Sequence, residues 1–393
     1  MARNDRKALI VGSGCFGLST ALELLKRGWT DVTVIDRANT LPAPDGSSND
    51  FNRKWKDTYH EYAIWRLCIG SPNCAVDYAH KSYLNEKEMG LRVVAFEDQT
   101  TMRQVFPSGV EAGSFSGKSG YLNRDGGWAN AGQGVAILMS KVAALNGKII
   151  GGKNASELIQ HGQKTTGVRC SDGTVFEADL VVLATGSWTA SAFPDVPVGK
   201  IFCATAQCIA MVQLTQEEGN IYRDCPVVLD FESGFYIFPP NEQNLVKMAV
   251  HAAGYTQSMG AKNISTPRTV TSDPETGLLI PKVNVKELRD GLRLVYPGLA
   301  NKPFVATRLC WYNDSPDGDW VIGYHPLSED SLMFATAGSG HAYKFLPKIG
   351  RLVVDAIEGK LMDRSPIKVD ESRVGRVLQE LDLSQLCTPE DLQ

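Results

Sequence analysis

No stretch of this 393-residue chain approaches the ~20 consecutive apolar residues that cross a bilayer, so no membrane span is expected. Blocks of lysine or arginine are missing too. Forty basic residues face 44 acidic ones, a net charge of −4, which leaves no electrostatic footprint for nucleic acid. The nine cysteines form an odd, scattered set without a CxxC pair. That argues against a disulfide framework or a zinc site and suits a reducing compartment. His60, His80 and His161 lack ligand spacing, so no metal is expected. There is no Gly-x-Ser-x-Gly elbow, no internal repeat and no low-complexity tract. The N-terminal residues run straight into an apolar strand and the last three are Asp-Leu-Gln. Neither a signal peptide nor the common peroxisomal address is expected, and the chain reads as cytoplasmic.

What is present begins at Gly12-Ser-Gly14-Cys15-Phe16-Gly17, directly behind the apolar run Ala8-Leu-Ile-Val11. A strand, a glycine turn and a helix in this order hold dinucleotides. Gly12 permits the tight turn, Gly14 lets backbone approach a pyrophosphate, and Gly17 lets helix pack on strand. The helix N-terminus offers free N–H groups and partial positive charge. The next segment, Leu18 to Gly28, has helical apolar spacing and a glycine stop. Val32-Thr-Val-Ile-Asp36 reads as a second strand ending in the carboxylate that would grip a ribose. Cys15, Phe16 and the following Arg37 join this group as cofactor contacts.

Further along, residues 40–60 read as a long polar loop, and Trp128 to Asn146 as a helix with Ala131, Val135, Leu138, Val142 and Leu145 on one face. A hairpin turns on Asp172-Gly173. Asp179 to Gly186 is a short buried strand ending in small residues, with Trp188 just beyond. Alternating segments fill 202–251, a helix is expected over 285–297, and Met333-Phe-Ala-Thr-Ala leads to Gly338-Ser-Gly340-His341 and a helix over 348–358. Two later glycine strand ends, at Gly186 and at Gly338 and Gly340, suit a flavin lying across the molecule. A helix beyond Gly340 would aim its dipole at the flavin pyrimidine. The fold class is therefore α/β (α+β), with a Rossmann-like FAD-binding domain interleaved with an antiparallel-sheet substrate domain. The expected boundaries are 1–86, 143–204 and 306–370 for FAD, 87–142 and 205–305 for substrate, and 371–393 as a tail. Residues 62–120, with Cys68 and Cys74 around Gly70-Ser-Pro72, are expected to harbour a lid.

Two segments then carry a resemblance. Cys310-Trp-Tyr-Asn-Asp-Ser-Pro-Asp-Gly-Asp-Trp-Val-Ile-Gly-Tyr-His325-Pro and Ala337-Gly-Ser-Gly-His-Ala-Tyr-Lys344-Phe-Leu-Pro resemble the C-terminal signature of the monomeric sarcosine oxidase family. That group includes pipecolate, saccharopine and fructosyl amino acid oxidases (amadoriases). Asp125-Gly-Gly-Trp128-Ala is similar to its fungal amadoriase and saccharopine oxidase branch. The resemblance implies a fold of the glutathione-reductase/p-hydroxybenzoate-hydroxylase type. It implies that Cys310 is joined through sulfur to the flavin 8-methyl carbon, where the bland alternative is a small buried hydrophobe. It also implies that Lys247 assists the reaction with dioxygen, since a fixed ammonium stabilises the first anionic product.

His251, four residues on and on the same strand face, aligns with a substrate-pocket histidine. Sugar-amine oxidases carry an acid there, so His251 implies a simpler secondary amine. Tyr236 aligns with a pocket tyrosine, or is a half-buried strand aromatic. Lys344 implies a cation for the substrate carboxylate, and His341 a place near the flavin edge. Arg53 and Lys56 match family basic residues above the flavin; a solvated charge run is the competing reading.

The resemblance thus implies a monomeric FAD-dependent amine oxidase. It would take a small secondary-amine amino acid to an imine and O2 to hydrogen peroxide. The alternatives are an amadoriase, a flavin dehydrogenase or demethylase with a protein acceptor, and a non-catalytic flavin-binding protein.

Overall fold

A computed structural model of the chain describes residues 4–49, 66–71, 78–96, 98–196, 201–360 and 378–393. Two sheets organise them. In the first, strands run in the order 321–324, 332–336, 180–183, 4–11, 29–35, 148–150, all parallel except the antiparallel edge at 321–324. Leu180–Leu183 and Leu332–Thr336 are buried along their whole length, as strands covered on both faces must be. The helix Cys15–Lys26 contains no proline and ends where Gly28 adopts φ +93°, a left-handed stop. It packs between the helices Ala131–Ala144 and Leu346–Ile357 over one shared apolar core. Gly350 permits that closeness, because a Cβ there would overlap the Ser19 carbonyl.

The second sheet has ten strands and is mostly antiparallel. Its path runs 379–380, 255–256, 203–213, 245–250, 235–237, 227–230, 66–70, 119–123, 93–96, with 304–314 on the other edge of 203–213. The amphipathic helix Lys282–Val295 buries Val285, Leu288, Leu292 and Val295 against one face. The hairpin expected at Asp172-Gly173 is present, with Gly173 at φ +83°. No helix among the described residues is long and apolar enough to cross a membrane.

One expectation is corrected here. Residues 66–70 are not a lid: Arg66–Gly70 is an interior strand, parallel to 227–230 and antiparallel to 119–123. Cys68 is 0% exposed and burial pushes its thiol up, so it is packing and not reactive chemistry. Cys74 lies outside the described residues. Strands 66–70 and 304–314 hydrogen-bond into the second sheet, not the first. The helix 131–144 packs on the first-layer helix 15–26. The physical reason is that a strand joins whichever ladder completes its hydrogen bonds, and sequence order does not decide this.

Candidate active site

The first sheet's parallel strands end together, and a cavity of about 730 Å³ crosses those ends. At the first of them Gly12, at φ +111°, donates its N–H to Ile35 O (2.8 Å), and a Cβ there would overlap Ala184 O. Gly14 opens onto the cavity, where an added Cβ would meet only Ser48 Oγ at 3.4 Å. Gly17 faces away from the cavity; its added Cβ would strike Gly12 O, so its role is close helix–strand packing. Gly17→Ala is therefore expected to cost about 1–3 kcal/mol by overpacking. It should also lower the flavin-to-protein absorbance ratio of the purified protein. An unchanged ratio and melting temperature would contradict this.

Asp36 follows the next strand. One of its carboxylate oxygens accepts from Ser13 N (2.7 Å) and Ser13 Oγ (2.8 Å), the other from Ala38 N (2.9 Å). Arg37 lies over the Trp188 ring at 3.8 Å and pairs with Asp45 at 3.1 Å. Burial draws its guanidinium down from the ordinary value, against the pull of Asp45 and Asp36. Gly186 (φ +55°) follows the 180–183 strand, and Gly338 and Gly340 follow 332–336. All three line the same cavity, so it spans the carboxyl ends of four neighbouring strands. That is where an open α/β sheet holds a dinucleotide.

The second sheet meets the cavity through its strand 304–314. Cross-strand partners in an antiparallel ladder share a face. Met211 pairs with Lys247, Ile209 with both Ala249 and Arg308, Gln207 with Cys310, Thr205 with Tyr312, and Tyr236 with Ala249. Lys247, Tyr236, Cys310 and Tyr312 therefore point the same way, while the alternate residues Val246, Met248, Cys208, Leu309 and Trp311 enter the opposite core. Ile209, Met211, Ala249 and Cys310 form a small apolar cluster, packed by Tyr236 and Tyr312. Cys310 and Tyr312 line the cavity. The His251 ring lies 6.3 Å from that of Tyr312. Lys247 is 1% exposed, with Nζ 5.7 Å from the Phe238 ring centroid. A lysine this buried is rare and marks a candidate functional cation.

The profile of the FAD dependent oxidoreductase (DAO) family matches residues 7–356. The chain belongs to this family. L-saccharopine oxidase of Schizosaccharomyces pombe is 26% identical over 404 residues, covering 91% of each chain. Among solved structures, the fructosamine oxidase Amadoriase II of Aspergillus fumigatus superposes with a TM-score of 0.80 at 27% identity, covering 95% of this chain and 91% of that one. Fructosyl peptide oxidase from E. terrenum reaches 0.85 at 24% identity, covering 99% and 98%, a likeness of fold.

In this FAD-dependent oxidoreductase the cradle fits its cofactor. The glycine turn leaves backbone room, the Asp36 carboxylate is held by three donors, and the cavity reaches Cys310. Cys15, Phe16 and Trp188 line the cavity. Two expected contacts do not. His341 stacks on Trp320 (5.7 Å, 27°), is exposed and is absent from the cavity wall. The left-handed turn at Ser339 (φ 45°) and Gly340 (φ 75°) precedes it, and the chain meets the cavity again at Ala342 and Tyr343. Lys344 is exposed too, its Nζ 5.8 Å over the Phe345 ring, one residue beyond the cavity-lining Tyr343. The turn after Gly340 is a short 3-10 helix, Ala342–Phe345, and the α-helix starts only at Leu346. Arg53 and Lys56 lie outside the described residues.

Sequence reasoning passed over Ser13, Ser48 and Tyr312. Ser13 holds Asp36, and Ser48 Oγ accepts Cys15 N at 3.1 Å. Tyr312 follows Cys310 by two, so strand alternation alone would have placed it on the same face.

Proposed function

We propose that this oxidoreductase is an amine oxidase for secondary-amine amino acids, with FAD attached through Cys310. The observation that supports it most is the single sheet face that brings Cys310 and Tyr312 onto the cofactor cavity and carries Lys247 and Tyr236 beside them. When bound, FAD would supply the two-electron acceptor for a hydride equivalent from the amine's α-carbon or N-alkyl carbon, with O2 as the final oxidant and hydrogen peroxide as the product.

The chain's own residues do the rest. The Cys310 thiol, on a rigid eleven-residue strand, is presented to the cavity as the covalent anchor. Lys247 places a fixed ammonium where negative charge develops on dioxygen, and its burial strengthens that interaction. Tyr236 and His251 flank the amine. Arg53 and Lys56 would add positive charge. A cationic pocket lowers the pKa of the bound amine, so substrate reacts neutral without a strong general base. Sarcosine, pipecolate, saccharopine and N-alkyl amino acids fit this chemistry. The protein would act as a monomer.

The likeness to Amadoriase II favours a second reading, a sugar-amine oxidase. Anaerobic titration separates the two. Bleaching of the flavin by pipecolate or sarcosine, and not by fructosyl-valine, is the expected result. Bleaching by fructosyl-valine alone would replace our reading with the second.

A further inference from the structure

The two strands 245–250 and 255–256 lie along one edge of the strand 203–213, but their registers do not agree. From Ala249 to Tyr255 this edge advances six residues, while its partner moves only three, from Ile209 to Ala206. The stretch 251–254 therefore bulges out of the sheet. A bulge of that size strips backbone groups of their ladder partners, and buried or half-buried groups must find others.

One side chain supplies them. Gln207 Nε2 donates to Ala252 O (3.2 Å), and Ala252 N donates to Gln207 Oε1 (3.1 Å). A carboxamide offers one donor and one acceptor, as a peptide unit does, so Gln207 replaces the missing rung. The loop wraps closely around it. Gly254 sits at φ +86°, and a Cβ there would come within 2.5 Å of Gln207 Nε2. On the other side of the loop, His251 N donates to Gly234 O at 2.8 Å. Gln207 is 2% exposed and does not line the cavity. Yet it is the direct cross-strand partner of Cys310, and the loop it holds carries His251 beside Tyr312.

We propose that Gln207 is a positioning residue, whose side-chain amide fixes the 251–254 bulge and so sets the His251 ring for substrate recognition. This rests on the amine-oxidase reading above. Bulges next to active sites re-aim a side chain, and misplacement by an ångström is enough to weaken a reactive pose. One amide thus ties the recognition loop to the strand that bears the flavin anchor.

The test uses Gln207→Met, which keeps size and removes both hydrogen bonds, and Gln207→Glu, which keeps the acceptor. Amide hydrogen exchange across 251–254 should quicken by about tenfold or more in Gln207→Met, while 245–250 stays protected. Anaerobic bleaching should need about tenfold more amine for half the maximal rate, with the limiting rate and the acid-stable flavin yield unchanged. In Gln207→Glu the half-saturating amine concentration, taken relative to that of the unsubstituted protein at the same pH, should fall as pH is lowered, because the protonated carboxyl regains a donor for Ala252 O. A merely structural role would speed exchange across the whole strand and leave the amine dependence alone.

Unchanged exchange at 251–254, or faster exchange with an unaltered amine dependence, would overturn the proposal. If the unsubstituted protein is bleached by no secondary amine, the amine-oxidase reading fails and the recognition role with it. The exchange pattern would still report whether Gln207 holds the bulge.

Discussion

Cys310→Ala is expected to release all of its yellow colour into the supernatant on acid precipitation, where the unsubstituted protein keeps the colour in the pellet. The reason is positional. Cys310 lines the cofactor cavity on a strand held on one side by the full ladder to residues 203–212. Of the other described cysteines only Cys15 lines the cavity, and it sits in the glycine turn that would hold the pyrophosphate and not the flavin ring. Burial pushes Cys68, Cys208 and Cys225 up, the last to about 12, and none of the three lines the cavity. The variant should still fold, since a buried cysteine truncated to alanine loses little volume, at a cost of about 1 kcal/mol. Colour retained in the pellet would assign the attachment elsewhere. Colour in the supernatant of the unsubstituted protein would make Cys310 a packing residue.

Lys247→Met should separate the two halves of the reaction. Reduction of the flavin by amine under anaerobic conditions is expected to change by less than about threefold. Reoxidation by O2 should slow by about 10²–10³-fold, the size seen when one preorganised group for a developing anion is removed. Methionine matches the stem and removes only the charge. Its stability cost should be small, because a buried ammonium pays a desolvation penalty that an apolar side chain avoids. Lys247→Arg should recover part of the oxygen rate. Stopped-flow mixing of reduced protein with oxygenated buffer makes the measurement. Equal loss in both half-reactions would assign Lys247 to substrate binding or to packing, and not to oxygen.

The readable parts of this chain were those whose cause is local. The turn Gly12 to Gly17 and the acid Asp36 announce themselves because the residues that build the cradle are close in sequence. The Asp172-Gly173 hairpin is the same kind of signal. Strand 66–70 was not readable. Arg-Leu-Cys-Ile-Gly is too short to show a period, and its partners, 119–123 and 227–230, are far away in sequence. The direction of the His341 side chain was not readable either, because a motif gives a residue's neighbours along the chain, while the backbone turn before it sets where its ring points. Gln207 left a faint trace: a glutamine inside the run Cys-Ala-Thr-Ala-Gln-Cys-Ile-Ala-Met-Val is a polar group that needs partners. Only the register of the neighbouring strands shows what those partners are.

The strand order of the first sheet also sets a schedule for synthesis. The first strand, 4–11, sits between 29–35 and 180–183, and 180–183 waits in turn for 332–336. During translation the nascent chain therefore carries a glycine turn and a buried-type strand with an open edge until residue 183 emerges. The apolar face under helix 346–357 stays uncovered for most of the remaining length. Parallel pairings this distant form slowly and expose aggregation-prone edges meanwhile. Low-temperature expression or chaperone supply should raise the yield of soluble protein, and flavin added after lysis should find a closed cradle only in chains that have passed that point.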